Sequence, residues 1–136
     1  MKRILESGQF SNYREGVSLE SASMEVANLY KSYFGKTTVF ISHKHDDLED
    51  LSGLIGFLEK NYNVKAYIDS KDSSMPSVTS GATASKIKER IRQCNKFILL
   101  ATDGAVESKW CNWELGYGDS QKFSSKDIAI LSLIHI

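Results

Sequence analysis

Cysteine, proline and net charge are scarce in this 136-residue chain. Of the two cysteines, Cys94 and Cys111, neither belongs to a C-x-x-C pair. That removes the expectation of a structural zinc site or a disulfide framework and points to a reducing, cytoplasmic setting. Seventeen Lys+Arg offset seventeen Asp+Glu. Without a basic excess, counterion release offers little for gripping nucleic acid, and no nucleic-acid partner is expected. No apolar run approaches the roughly 20 residues of a spanning helix, so no membrane partner is expected either. Met1 to Ser7 carries two basic residues with no apolar stretch behind them, so it does not read as a secretory leader. Internal repeats, low-complexity tracts and the G-x-x-x-x-G-K-[ST] phosphate loop are also missing. Hydrophobic residues at 41% and charged residues at 25% match a single soluble globular domain.

The hydrophobic period changes along the chain. Residues 1–17 are polar and aperiodic and read as a loose lead-in. Over 18–34, Leu19, Ala22, Val26, Leu29, Tyr30 and Tyr33 recur at steps of three and four, which predicts a helix with Ser18 as N-cap and Gly35 as stop. The run Thr37 to Ser42 is apolar at consecutive positions, as in a strand covered on both faces. Leu48, Leu51, Leu54, Ile55 and Leu58 make a helix that Asp46 or Asp47 can cap. A second strand covers 64–68, then a polar loop from Asp69 to about Ser80 holds the lone proline, Pro76. Ala84, Ile87 and Ile91 mark a helix, and 96–101 a third strand. Asp103 can cap a helix carrying Val106, Trp110, Trp113 and Tyr117, and a fourth strand begins at Ile128. The alternation predicts an α/β fold: a three-layer, flavodoxin-like parallel sheet of order 2-1-3-4 over these four strands. Residues 1–35 are then a lead-in with an extra helix, and 36–136 the α/β domain. Ligands of such sheets bind beyond the carboxyl strand ends where the strand order reverses. Ser42 to Asp47, Asp69 to Ser80 and the segment from Thr102 lie on that edge, and the 70–80 loop is expected to be mobile and to close over a ligand.

Ser108 to Asp119 is the most informative segment. Trp110 and Glu114 are four apart and share one helix face, so an indole and a carboxylate can meet a planar cationic group. A Trp on a helix is also commonly core and a Glu one turn on commonly solvated, and spacing leaves both readings open. His43-Lys44-His45-Asp46-Asp47 supplies H-x-H-x-D, most of a two-metal hydrolase motif, but Leu48 stands where another histidine belongs and the only other one is His135. The segment therefore reads as a capped polar loop, with no metal expected. Cys111 has no histidine near it in sequence, and Ser42 lacks the G-x-S-x-G elbow, so neither reads as a nucleophile.

Val39-Phe40-Ile41-Ser42-His43 with Asp46-Asp47, Tyr67-Ile68-Asp69, Met75-Pro76 and Ser108-Lys109-Trp110-Cys111-Asn112-Trp113-Glu114-Leu115 together resemble a TIR (Toll/interleukin-1 receptor) domain over about residues 36 to 134. The Ser-rich 70–82 loop lacks the basic–Asp–Pro–Gly character of animal signalling members and resembles the bacterial, NAD-consuming kind. The resemblance implies an enzyme, an NAD glycohydrolase or ADP-ribose cyclase of prokaryotic antiphage or stress signalling, that cleaves the nicotinamide–ribose bond. It implies Glu114 as the catalytic residue, with Phe40, Ile41, Ser42, His43, Asp69 and Trp110 at the substrate. NAD enters as substrate and no cofactor is expected. Implied partners are other copies of the domain or other TIR domains, and an effector that senses a nucleotide product. The alternative is a non-catalytic interaction module, which needs neither Glu114 nor Trp110. The family usually continues with a helix, a fifth strand and a last helix, whereas this sequence stops within its fourth strand; an apolar strand left at a sheet edge is an aggregation hazard. As a helix-surface residue facing a crevice, Glu114 is expected to tolerate replacement by Gln with little change in stability.

Overall fold

The computed structural model describes residues 5–14, 36–69 and 81–134. The helix expected over 18–34 and the loop from 70 to 80 lie outside the described residues. Strand β1 (Leu5–Glu6) and a 3-10 turn (Ser11–Tyr13) come first. Then follow β2 (Thr37–Ser42), α1 (Leu48–Asn61), β3 (Val64–Tyr67), α2 (Gly81–Gln93), β4 (Lys96–Ala101), α3 (Asp103–Glu107), α4 (Lys109–Lys122) and β5 (Ile128–Ile134). All pairings are parallel, in the order β1-β5-β4-β2-β3. The last four strands reproduce the expected order, and the fold is the α/β parallel sheet expected.

The pleat sorts β2 into two cores. Val39 and Ile41 face one layer with Leu51, Leu54, Ile55 and Phe10; Phe40 faces the other with Tyr67, Ile87, Ile91 and Phe97. Phe40 lies between Tyr67, ring centroids 5.4 Å apart, and Phe97, nearly parallel at 5.6 Å. The period of two puts Ser42 on the Phe40 face, beneath α4.

Residues 5–14 are not the loose lead-in that their composition predicts. Leu5 and Glu6 pair with Leu133 and Ile134, so β1 borders the strand that otherwise ends the sheet. Gly8 donates its N–H to Asp50 at 2.7 Å, Arg14 lies 3.6 Å from Glu49, and Phe10 and Tyr13 both pack on Phe57. The close seat depends on missing side chains: a Cβ on Gly56 would stand 1.8 Å from the Tyr13 carbonyl oxygen, and one on Gly53 2.6 Å from that of Phe10. These contacts bridge distant segments and show no helical or strand period, which is why the pattern of the first residues hides them.

Helix capping also differs from expectation. The helix predicted from Asp103 breaks at Ser108 into α3 and α4. Thr102, not Asp103, caps α3 by accepting from the Ala105 N–H, and Ser108 caps α4 by accepting from the Cys111 N–H. Asp47 stands at the N-cap of α1 without a side-chain capping bond; its carboxylate accepts from the Thr102 hydroxyl instead, tying the ends of β2 and β4 together. Among the described residues no helix is long and apolar enough to cross a membrane.

Candidate active site

The chain leaves β2 for β3 on one side and returns to β4 on the other, so strand order reverses between β2 and β4. Ser42 ends β2, Asp69 follows β3, Thr102 follows β4, and α4 lies over this edge. The buried face of α4 is unusual: Cys111, Glu114, Gly118 and Lys122. Gly118 is what lets the helix settle, because a Cβ there would meet the Phe97 ring at 2.9 Å. Lys122 donates to the Cys94 carbonyl oxygen at 2.5 Å. Glu114, one turn before Gly118, is thereby carried into the sheet edge and is 1% exposed.

One carboxylate oxygen of Glu114, Oε1, accepts from the Ser42 hydroxyl at 3.2 Å. The other, Oε2, is a buried side-chain polar atom with no hydrogen-bond partner among the described residues. Burial, the negative charge of Asp69 and, in the opposite sense, the Ser42 bond act on this group, and the net effect holds its pKa well above the usual carboxylate value. An orphaned, desolvated acceptor is costly, and such groups concentrate at functional sites. The expectation of a crevice-facing surface glutamate is therefore overturned. The low position of α4, set by a glycine, could not be read from the helical period alone.

His43 follows Ser42 and is 2% exposed; its Nδ1 lies 3.1 Å from the Ile41 carbonyl oxygen and, since that oxygen only accepts, donates to it. Burial lowers the pKa of His43, against the opposing charge of Asp69. Asp69 is 8% exposed and acts electrostatically on Glu114, His43 and Cys111. Ser42, His43, Asp69 and Glu114 thus gather at one place. Phe40 and Ile41 do not present side chains there: each is fully buried in a core layer, on opposite faces of the sheet, because the strand period turns them away from each other. They border the site only through the course of β2. Trp110 is half-buried at the start of α4, and its indole stacks on Trp113 at 5.0 Å. Trp113 in turn stacks on Tyr117, with Lys88 against both rings. Cys111 is buried, and burial raises its thiol pKa, so it carries no reactive thiolate. The Cys94 thiol is pushed up to about 12 by burial.

The family model described as TIR domain matches residues 39–135. The chain belongs to the TIR family. This TIR domain is similar to the Probable 3' cyclic ADP-D-ribose synthase ThsB' of Bacillus cereus (strain MSX-D12), with 28% identity over 119 residues. That alignment takes in 85% of the TIR chain and 60% of its relative, so the chain spans about three fifths of the curated relative's length. The matched region runs from β2 to the end of β5 and includes every residue placed at the sheet edge above.

Proposed function

We propose that this TIR domain cleaves the nicotinamide–ribose bond of NAD, with Glu114 as the catalytic carboxylate. The observation that carries the reading is the unpartnered Oε2 of a buried Glu114 at the switch point of the sheet. Nicotinamide leaves as a neutral molecule: the C1–N bond breaks, its electron pair neutralises the pyridinium nitrogen, and no general acid is needed. Positive charge develops at the ribose C1. A single carboxylate can answer that charge, where most glycosidases need two carboxyl groups. Ser42 holds Oε1 and leaves Oε2 for a ribose hydroxyl or for the cationic centre. His43 and Asp69 form the polar rim, and Trp110 offers an indole face to the departing ring. Capture of C1 by water gives ADP-ribose, and capture by a hydroxyl of the substrate's own adenosine gives a cyclic product. The Bacillus relative is named as a 3' cyclic ADP-D-ribose synthase, which favours the second branch. Such a product suits a prokaryotic defence signal read by an effector, and NAD loss can itself be the effect.

The test is incubation of the concentrated protein with NAD and chromatographic resolution of nicotinamide, ADP-ribose and cyclic products. Nicotinamide release that disappears in Glu114→Gln supports the proposal. A second reading, a non-catalytic interaction module, draws on apolar side chains left in solvent, Phe123 at 69% and Ile130 at 60% exposure. It replaces the first if the wild-type protein releases no nicotinamide even when assembled.

A further inference from the structure

The loop after β2 and the end of β3 bring together three groups that the cleavage chemistry does not use as a set. A ring nitrogen of His43, one of His45 and a carboxylate oxygen of Asp69 lie within 4.8 Å of one another. We infer that His43, His45 and Asp69 form a binding site for one divalent transition-metal ion of the zinc class close to Glu114. The H-x-H-x-D segment falls short of a metal site when read along the chain, because Leu48 stands where a further histidine belongs; in the fold its own Asp47 is engaged by Thr102. The fold supplies the third donor from a different strand, as Asp69.

Three features fit a cation of this kind. Two imidazoles and one carboxylate, with further positions open, suit zinc, cobalt or nickel, whereas magnesium and calcium call for oxygen donors throughout. The His43 ring is already anchored, since its Nδ1 donates to the Ile41 carbonyl at 3.1 Å. That bond fixes the orientation of the ring, as such bonds do for metal-binding histidines. Finally, the Lys44 ammonium between the two histidines in sequence lies 3.7 Å from the Asp46 carboxylate, which offsets its repulsion of a cation. Donors at zinc-ligand distances of about 2 Å stand roughly 3.3 Å apart, so the set must contract by about 1.5 Å. His45 is exposed and stands beside His43 with ring centroids 5.5 Å apart, so it can supply that contraction by a rotamer change. If the proposed function holds, a metal here takes His43 and Asp69 away from the dinucleotide, and the ion and NAD compete.

The experiment is a cobalt titration of the chelator-treated whole chain, followed by zinc displacement, in wild type, His43→Ala and His45→Ala. The expected result is one equivalent of Co²⁺ with the visible absorption of a low-coordinate nitrogen–oxygen site, bleached by Zn²⁺. Affinity should fall at least about tenfold in either variant. His45→Ala is the cleaner of the two, because it alters an exposed side chain outside both cores. A spectrum that stays that of aqueous Co²⁺, or His45→Ala binding as tightly as wild type, overturns the site. In the activity arm, Zn²⁺ should suppress nicotinamide release by wild type and leave His45→Ala unaffected. Binding without suppression keeps the site and overturns the competition. If wild type releases no nicotinamide, the proposed activity fails, while the cobalt spectrum still decides the metal site.

Discussion

The catalytic role proposed for Glu114 and its burial pull against each other, and both can be measured. If Glu114 is the group that meets charge at the ribose, as proposed, its replacement by Gln should cost on the order of 10²–10³ in rate, about 3–4 kcal/mol of transition-state stabilisation. As a buried carboxylate with a raised pKa, it also makes stability depend on pH. The native state holds this proton more tightly than the unfolded chain, whose value is near 4.5. Stability from this group is therefore complete below that value and is lost as pH rises through the native pKa. Glu114→Gln removes the dependence, so its melting temperature should exceed that of wild type by a margin that grows above pH 4.5 and then levels off. Equal melting temperatures across that range would contradict the burial argument. Activity runs in the opposite direction. In the proposed reaction the ionised form does the work, so the rate in chelator-containing buffer should rise with pH along an acidic limb set by Glu114. Asp69→Asn, which removes the neighbouring negative charge, should move that limb to lower pH. Ser42→Ala, which removes the bond favouring the carboxylate, should move it to higher pH. A limb that ignores both variants belongs to another group.

At the scale of the element, α1 and α4 are shaped by where they lack side chains. Alanine is favoured over glycine inside a helix by about 1 kcal/mol, yet Gly56→Ala would press a methyl group against the Tyr13 carbonyl, a backbone atom that cannot swing away. The expected outcome is a net loss of about 1–3 kcal/mol, with faster proteolysis around residues 5–14 as the turn leaves α1. Gly116→Ala is the control: it lies within α4 on an exposed position with nothing within 4 Å of the added Cβ, so chemical denaturation should show a gain of up to about 1 kcal/mol. Opposite signs from the same substitution in two helices would separate close packing from helix propensity.

At the scale of the whole molecule, the described residues leave an apolar groove between α4 and β5. A groove of about 560 Å³ is lined there by Leu115, Gly116, Phe123, Ile128 and Ile130, on a different face of α4 from Glu114. Apolar surface of this kind favours association, and one small domain encloses little of a dinucleotide. Specific activity should accordingly rise with protein concentration, and sedimentation should show association that weakens in Phe123→Asp. Activity unchanged over a wide dilution range would indicate a monomer complete in itself.

Local patterns decided much of this protein. The apolar runs of 37–42 and 96–101 dictate strands buried on both faces, while 128–134 forms a strand that leaves Ala129, Ile130 and Ser132 exposed; such strands alternating with amphipathic helices leave few arrangements besides a parallel sheet. The same patterns put Ser42, Asp69 and α4 at the carboxyl edge, and the Trp110–Glu114 motif pointed to the carboxylate. Period and propensity report which side chains share a face of one element. They do not report how closely two elements approach or which distant segments meet. Gly118 sinking Glu114 against β2, Gly53 and Gly56 admitting Phe10 and Tyr13, and Asp69 arriving beside His43 and His45 are all settled by packing between segments far apart in the chain. The pKa of Glu114, the seat of the first residues and the three-donor cluster therefore belong to the tertiary structure, because burial and proximity are properties of the assembled chain and not of any window along it.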